Sequence, residues 1–155
     1  MIGRETGTPF PAEGVHFVLE LHIRPATAQE MPLIQHLAEE YALDTERLEA
    51  AQFLVAEEQG RLVGFGRLKP YPDAVELGCL GVVPERRGSG VARQLVEHLL
   101  SHVQGEVYVT TDLPALGRKL GFEETTEAPA SILEKVRRFE GHRRQGIVIM
   151  RLRRN

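Results

Sequence analysis

The sequence predicts an α/β fold in which a mixed central sheet of about six to seven strands is flanked by helices. Strand-like segments alternate along the chain with segments whose apolar residues recur at helical spacing. The segment 53–71 has the pattern of a hairpin, whereas the strand–helix–strand unit at 75–110 implies a right-handed parallel crossover. Antiparallel and parallel pairs are therefore expected in one sheet. A length of 155 residues fits one domain with a sizeable core.

Composition and charge limit the classes of function. A net charge of −3 and 42% hydrophobic residues are ordinary for a globular protein and argue against nucleic acid as a partner. The single cysteine, Cys79, excludes an intrachain disulfide, and no zinc-site spacing is present, so we expect no metal and a cytoplasmic location. No apolar run approaches the ~20 residues of a membrane span, so no membrane is expected as a partner. Residues 1–19 are rich in Gly and Pro and are expected to form a flexible extension before the domain at 20–155.

The first half of the chain predicts a strand, a helix and a hairpin. A short strand at 21–25 ends at Pro25, and Thr27 with Glu30 forms a capping box that opens a helix. Asp44 is expected to cap a second short helix that runs through Leu48. The strands 53–58 and 61–71 flank the turn Gln59-Gly60.

The second half predicts alternating strands and helices. After a bend at Pro72-Asp73 comes a strand at 74–83, followed by a helix at 90–103 with one apolar face. A strand at 106–110 places Val107 and Val109 on one face, and a short helix near 113–120 ends at Gly121. A helix at 130–140 and a final strand at 146–153 complete the order.

The segment 84–100, PERRGSGVARQLVEHLL, places glycines and arginines directly before a helix. The first amides of a helix have no partner inside it, and the helix dipole adds positive potential there. Gly88 and Gly90 leave those amides accessible to an anion, and Arg86 and Arg87 add charge. The spacing fits neither a P-loop nor a dinucleotide fingerprint. From the residues alone, a phosphate site and a structural turn with solvated arginines remain equal alternatives.

The run RGSGVA at 87–92 resembles the pyrophosphate-binding signature [RQ]-x-x-G-x-[GA] of the GNAT N-acetyltransferases. It follows a strand ending LGVVPE and heads a long helix, as in that family, and KLGF at 119–122 is similar to a frequent later motif. The order of elements from 21 to 153 also matches. The resemblance implies the GNAT fold and acetyl-CoA as co-substrate.

Two segments resemble a narrower group, the acetyltransferase domain of the N-acetylglutamate synthases. They are GFGRLKPYPDAVELGCLGVVPERRGSG at 64–90 and RRFEGHRRQGIVIMRL at 137–152, although Gly146 stands where those enzymes often have serine. The resemblance implies acetylation of the α-amine of glutamate or an analogue, a small-molecule amine. Acetylation of another amine or a protein N-terminus, and a non-catalytic acyl-CoA-binding module, remain alternatives. A homodimer through the final strand is an option by analogy with the family.

The resemblance also assigns roles to residues. The backbone of Leu80, Gly81 and Val82 would bind the pantetheine arm, Thr111 would contact the cofactor, and Glu76 matches a glutamate that often acts as a base through water. The position of the family's usual tyrosine acid is Gly117, and we expect Cys79 to be inert rather than nucleophilic. The residues implied to hold the pyrophosphate form one run: Arg87, Gly88, Ser89, Gly90, Val91, Ala92 and Arg93.

A dicarboxylic amino acid as acceptor requires cations, ideally arginines that bind carboxylates with two hydrogen bonds. Arg67 and Lys69 alternate to one face of the hairpin strand that runs beside Glu76. Arg143 and Arg144 lie in the basic segment that matches the synthases' glutamate-binding segment. These cations are the predicted substrate-binding residues. Thr110 and Asp112, at the end of the next strand, are candidates for cofactor or substrate contacts. Tyr108 lies on the same strand and could replace the missing tyrosine acid only if its side chain faces the cleft.

Overall fold

The computed structural model describes residues 21–142 and 146–152, so the predicted extension at 1–19 lies outside the described residues. The strands are β1 (His22–Pro25), β2 (Phe53–Glu58), β3 (Arg61–Tyr71), β4 (Ala74–Val82), β5 (Val107–Thr111), β6 (Glu123–Thr125) and β7 (Val148–Leu152). The α-helices are α1 (Met31–Glu40), α2 (Val91–Leu100), α3 (Pro114–Lys119) and α4 (Ala130–His142). Short 3₁₀ turns cover Ala28–Glu30, Ala50–Gln52 and Pro84–Arg86.

The sheet has seven strands in the order β1-β2-β3-β4-β5-β7-β6. Strands β4 and β5 pair in parallel, and the other described pairs are antiparallel, which confirms the predicted mixed α/β sheet. The hairpin 53–58/61–71 has the predicted bounds. The three-residue β6 was not predicted, because so short a strand shows no alternation.

Helices cover both faces of the sheet. On one face, Ile34 and Ala38 of α1 pack on Phe53, Val55 and Phe65. On the same face, Ile132 of α4 packs on Tyr108 and Ile149. On the opposite face, the predicted apolar side of α2 is buried against the sheet, with Val96 and Leu99 near Val107 and with Val91 and Leu95 near Val82.

One predicted element is wrong. Residues 43–49 form no helix, and they run instead as an irregular segment between α1 and the 3₁₀ turn before β2. The Asp44 side chain accepts the backbone N–H of Glu46 at 2.8 Å, which is a local turn rather than a helix cap. Ala42 and Arg47 have positive φ values of 58° and 50°, which are incompatible with a continuous helix. The predicted Thr27–Glu30 contact is present, since the Thr27 N–H donates to Glu30 Oε1 at 2.9 Å.

The strands β4 and β5 diverge, and this divergence positions the candidate site. Among the described residues they pair only at Glu76 and Tyr108. Beyond that pair, Gly81 and Val82 continue to pair with β3, while Thr110 and Thr111 pair with β7. We call the space between residues 79–82 and 109–111 the wedge. A β-bulge occurs at the start of the wedge, where Cys79 has a φ of 45°.

The close packing of Gly81 on β4 against the Phe65 ring can be tested. A Cβ atom at Gly81 would lie 2.6 Å from the ring of the fully buried Phe65. We therefore expect Gly81→Ala to lower the free energy of unfolding by about 1–3 kcal/mol, since the core has no room for the extra methyl. Denaturant unfolding measures this change. Gly78→Ala is the control, because a Cβ there meets no atom within 4 Å; an equal loss in both variants would refute the assignment.

Candidate functional site

The glycine turn, residues 87–90, presents unpartnered backbone amides. Gly88 and Gly90 have φ values of 80° and 97°, and a Cβ at either position would meet open space. Glycine is therefore required by backbone conformation rather than by crowding. The N–H groups of residues 88–93 donate to no other group among the described residues. These amides and the start of α2 form a positively polarised, accessible surface that suits an anion.

The arginines around the turn make hydrogen bonds and a ring contact with neighbouring elements. Arg86 Nε donates to Glu58 Oε1 at 2.6 Å. Arg87 Nε donates to the carbonyl of Val82 at 2.9 Å, and its guanidinium lies 4.8 Å from the centre of the Tyr41 ring. Arg93 Nη2 donates to the carbonyl of Lys119 at 3.0 Å. These contacts fix the turn against β2, β4, α1 and α3 and leave the cationic groups beside it.

The wedge starts directly before the glycine turn in the chain. One edge of Gly81 and Val82 pairs with β3, and the other edge faces the wedge. Leu80 is half-buried there, and the Val91 side chain is buried beneath the turn. Ala92 is half-buried and Ser89 is exposed. Thr111, at the far side of the wedge, accepts the N–H of Leu113 through Oγ1 at 2.9 Å.

Glu76 lies on the α1/α4 face of the sheet at the start of the wedge. It is 1% exposed. Tyr71 donates its hydroxyl to Oε1 at 2.9 Å, and Thr110 donates to Oε2 at 2.7 Å. Lys135 of α4 places Nζ 2.6 Å from Oε2. Donors from β3, β5 and α4 thus converge on one buried carboxylate and hold it in one position.

The charged cluster extends from Glu76 to the segment between α1 and β2. We give this name to seven side chains: Asp44, Glu46, Arg67, Lys69, Glu76, Lys135 and Arg138. Asp44 Oδ2 lies 2.8 Å from Lys135 Nζ, 3.1 Å from Arg67 Nη2 and 3.4 Å from Lys69 Nζ. Burial raises the pKa of Asp44, but the charge and hydrogen bond of Lys135 outweigh this and hold it at about 2.

Arg67 and Lys69 lie on the predicted face, and their cationic groups are engaged within the protein. Arg67 is fully buried, and its Nη1 donates to the carbonyl of Arg47 and to Gln52 Oε1, each at 3.0 Å. Lys69 is opposite Glu76 in the strand register and contacts Asp44 and Glu46. The predicted substrate contacts of Arg67 and Lys69 stay predictions. Those of Arg143 and Arg144 also stay predictions, because these residues lie outside the described residues.

Four further residues from the sequence analysis have defined surroundings. Tyr108 shares the face of Glu76, but its hydroxyl donates to Glu106 Oε1 at 3.0 Å. Burial raises the pKa of the Cys79 thiol to about 11, so the thiol is protonated at neutral pH. Gly117 is buried, and a Cβ there would collide with the Met150 sulfur. Asp112 is exposed.

Lys135, Asp44 and Tyr71 were missed as functional candidates. The sequence could have indicated Lys135, because this residue lies within an apolar stripe of α4 formed by Ile132, Val136 and Phe139. A lysine on the buried side of a helix requires an anionic partner. The sequence could also have indicated Tyr71, since it alternates with Arg67 and Lys69 on the strand that pairs with β4. It could not have indicated Asp44, because the segment around Asp44 has no periodic pattern.

A parallel strand pair that opens beside an amide-lined helix start is the arrangement by which α/β proteins take up phosphate-bearing ligands. The chain belongs to the acetyltransferase (GNAT) family, which residues 15–122 match. This confirms the family that the signature at 87–92 indicated. Comparison with curated proteins finds no match. No helix within 21–142 and 146–152 has the length and apolar character to cross a bilayer.

Solved structures share the fold. N-acetylglutamate synthase from Neisseria gonorrhoeae, complexed with coenzyme A and N-acetyl-glutamate, superposes with a TM-score of 0.76 at 21% identity over 90% of this chain. The chain spans 36% of that protein. Rv2747 from Mycobacterium tuberculosis, in complex with CoA, superposes with a TM-score of 0.70 at 23% sequence identity. The match covers 85% of this chain and 98% of that one. The ribosomal-protein-S18-alanine N-acetyltransferase from Escherichia coli superposes with a TM-score of 0.60 at 17% sequence identity. The match covers 86% of this chain and 94% of that one.

The ionised state of Asp44 predicts a pH dependence of stability. Its folded pKa of about 2 lies below the ordinary value of 3.8. Its contribution is therefore complete above about pH 4 and is lost as the pH falls through about 2. We expect Asp44→Asn to cost roughly 3–5 kcal/mol at pH 7, because it removes the counter-ion that three buried cations share. The difference from the wild type should shrink between pH 4 and pH 2 in urea unfolding.

The control for this prediction is Glu134→Gln, which removes an exposed carboxylate of α4. It should change stability by no more than about 0.5 kcal/mol at either pH. A constant gap between the wild type and Asp44→Asn across the acid range would show that the carboxylate charge is not what stabilises the cluster.

Proposed function

We propose that this acetyltransferase moves the acetyl group of acetyl-CoA to a small-molecule primary amine, by direct attack of the amine. We propose further that the acceptor is the α-amine of glutamate or a close analogue. The observation that carries the proposal is the glycine turn, whose amides at 88–93 have no acceptor among the described residues and open beside the wedge.

The glycine turn fits the diphosphate of coenzyme A. Backbone amides at a helix start bind phosphate oxygens without a dedicated side chain, and the open space at Gly88 and Gly90 admits a close approach. The neighbouring guanidinium groups of Arg87 and Arg93 add positive charge. Residues 80–82 would bind the amides of the pantetheine arm through the backbone edge that faces the wedge.

The wedge gives the acetyl group a route across the sheet. Helix α2 packs on one face, and Glu76 lies on the opposite face where β4 and β5 begin to diverge. A ligand held at the head of α2 and threaded through the wedge would therefore present its far end near Glu76. Acetyl-CoA supplies an activated thioester there, and the chain's own residues bind, orient and accept the proton.

Glu76 would accept the proton of the incoming amine, directly or through a water. Each oxygen of a carboxylate accepts about two hydrogen bonds, and Oε1 receives one described donor, the hydroxyl of Tyr71. One lone pair of Oε1 is thus left for an amine or a water. Burial and the Glu76 carboxylate raise the pKa of Tyr71 well above its usual value, so Tyr71 remains a donor and holds Glu76 in place.

Two residues limit the chemistry. The protonated, buried thiol of Cys79 supports direct attack rather than an acetylated cysteine. Gly117 supplies no acid at the position where many relatives have tyrosine, so the departing thiolate would take its proton from water. This glycine also favours a second candidate function, an acyl-CoA-binding module without turnover.

The acceptor proposal rests on cations and on likeness. Arg143 and Arg144 lie in a segment similar to the tail of the N-acetylglutamate synthases, and one neighbour in structure is such a synthase. For Arg67 we propose a supporting role, because its guanidinium already holds Asp44, Gln52 and the backbone of Arg47.

Calorimetry with acetyl-CoA and a thiol-release assay over an amine panel test the proposal. We expect binding, and turnover with glutamate but not with lysine or spermidine. Gly90→Ala should weaken acetyl-CoA binding by about tenfold or more, because it disturbs the left-handed cap of α2. Binding without turnover would support the binding-module alternative, and absence of binding would refute both.

The matched control is Gly60→Ala in the β2–β3 turn. Gly60 also has a positive φ, of 76°, and open space around its Cβ position. Both variants should lose about 1 kcal/mol of stability from backbone strain, and the control should bind acetyl-CoA like the wild type. Equal weakening in the two variants would attribute the effect to stability alone.

The role of Glu76 predicts a loss in turnover. Glu76→Gln keeps an oxygen acceptor for Tyr71 or Thr110 but removes the group that accepts a proton. We expect kcat to fall by about 10²-fold or more, with the dissociation constant for acetyl-CoA unchanged. Steady-state kinetics and calorimetry measure the two quantities. Unchanged kcat in a folded variant would exclude Glu76 as the proton acceptor.

A further inference from the structure

We propose that Lys69 and Arg138 form a subsite for a carboxylate of the acceptor, and that the protein's own Glu46 fills this subsite when no acceptor is bound. This inference rests on the proposed function, because it assigns the class of acceptor at the same site: an amine that carries a carboxylate a few bonds away.

The geometry around Glu46 is that of a carboxylate-binding site. Arg138 donates through Nε to Oε2 at 3.2 Å and through Nη2 to Oε1 at 3.0 Å. Lys69 Nζ donates to Oε1 at 3.2 Å. A guanidinium fork on both oxygens together with an ammonium group is the pattern by which proteins recognise free carboxylates.

The positive charge of the cluster favours an anion at this place. Its buried members are three cations, Arg67, Lys69 and Lys135, and two carboxylates, Asp44 and Glu76. Glu46 and Arg138 lie at the mouth, with side chains 35% and 45% exposed. If Glu46 leaves, Lys69 and Arg138 lack their shared partner and the cluster has two excess positive charges. An acceptor carboxylate would return the cluster to the single excess positive charge that it has with Glu46 in place.

The subsite lies beside the reacting centre. Lys69 is directly opposite Glu76 in the β3–β4 register, and their side chains share a face. Such cross-strand neighbours have Cβ atoms about 4.5–5.5 Å apart. A carboxylate bound by Lys69 and an amine that meets Glu76 therefore belong to one small molecule, such as an amino acid.

Glu46 can be displaced more easily than the other carboxylates. It lies in the irregular segment 43–49, next to Arg47 with its positive φ, and its side chain is partly exposed. Asp44 differs, because it is buried and contacts three cations. An entering carboxylate would take the place of Glu46 and leave Asp44 as the permanent counter-ion.

The alternative is that Glu46 and Arg138 only attach the segment 43–49 to α4. The two interpretations predict opposite signs for one pair of variants. If Glu46 competes with the acceptor, Glu46→Gln removes the competitor and Arg138→Met removes the binding group. If the pair is only a tether, both substitutions detach the segment and change acceptor affinity in the same direction.

The experiment measures KM for glutamate, and glutamate binding by calorimetry in the presence of CoA, in the full chain. We expect Glu46→Gln to lower KM and the dissociation constant by roughly threefold or more. Arg138→Met should raise both by roughly tenfold, about the value of one charge-assisted contact, with kcat little changed. Arg137→Met, on the exposed neighbouring residue of α4, is the matched control and should resemble the wild type.

Monoamides of glutamate add a second readout. Glutamine and isoglutamine each lack one carboxylate, and the Arg138→Met effect should vanish for the one whose missing carboxylate occupies the subsite. Effects of the same sign in Glu46→Gln and Arg138→Met, or an equal Arg138→Met effect on glutamate and both monoamides, would overturn the inference. If the two variants change glutamate affinity in opposite directions but no turnover is seen, the proposed function is refuted and the subsite is supported. If glutamate neither binds nor is acetylated, both proposals are refuted.

Discussion

The divergence of β4 from β5 is the constraint on which the rest of the site depends. The two strands pair in parallel at Glu76 and Tyr108 and then each follows its other neighbour. The bulge at Cys79 turns the backbone of β4 at that point, at the expense of a positive φ for a residue with a side chain. The same strand then runs into the glycine turn, so one element sets the wedge, the helix start and the position of Glu76.

The charged cluster is difficult to explain by stability alone. Moving ions out of water costs several kcal/mol each, and apolar side chains of similar volume often replace a buried ion pair without loss. Here, Lys135 lies between Asp44 and Glu76, at 2.8 Å and 2.6 Å, and is 2% exposed. The arrangement fixes the Glu76 carboxylate in one orientation at the open end of a strand pair. Under the proposed function, a carboxylate held in this way would accept the proton of the incoming amine.

The sequence was sufficient to predict the strands and helices whose apolar residues recur at a regular spacing, and the glycine turn that precedes α2. The β2–β3 hairpin, the buried face of α2 and the common face of Arg67 and Lys69 follow from alternation and helical spacing. The failure at 43–49 has an identifiable cause. An acidic residue before a polar run has the pattern of a helix cap, but Asp44 is stabilised by cations from β3 and α4 that are distant in sequence. Local patterns carry no information on such partners.

The segment between α1 and β2 joins the two halves of the site. At its start, Tyr41 lies under the guanidinium of Arg87, which is bonded to the carbonyl of Val82 at the end of β4. A few residues later, Asp44 and Glu46 contact Lys69, and through Lys135 the cluster reaches Glu76. The glycine turn and the charged cluster are thus fixed to one short segment from opposite sides. Under the proposed function, a shift of this segment would change the distance between the two ends of the co-substrate's path.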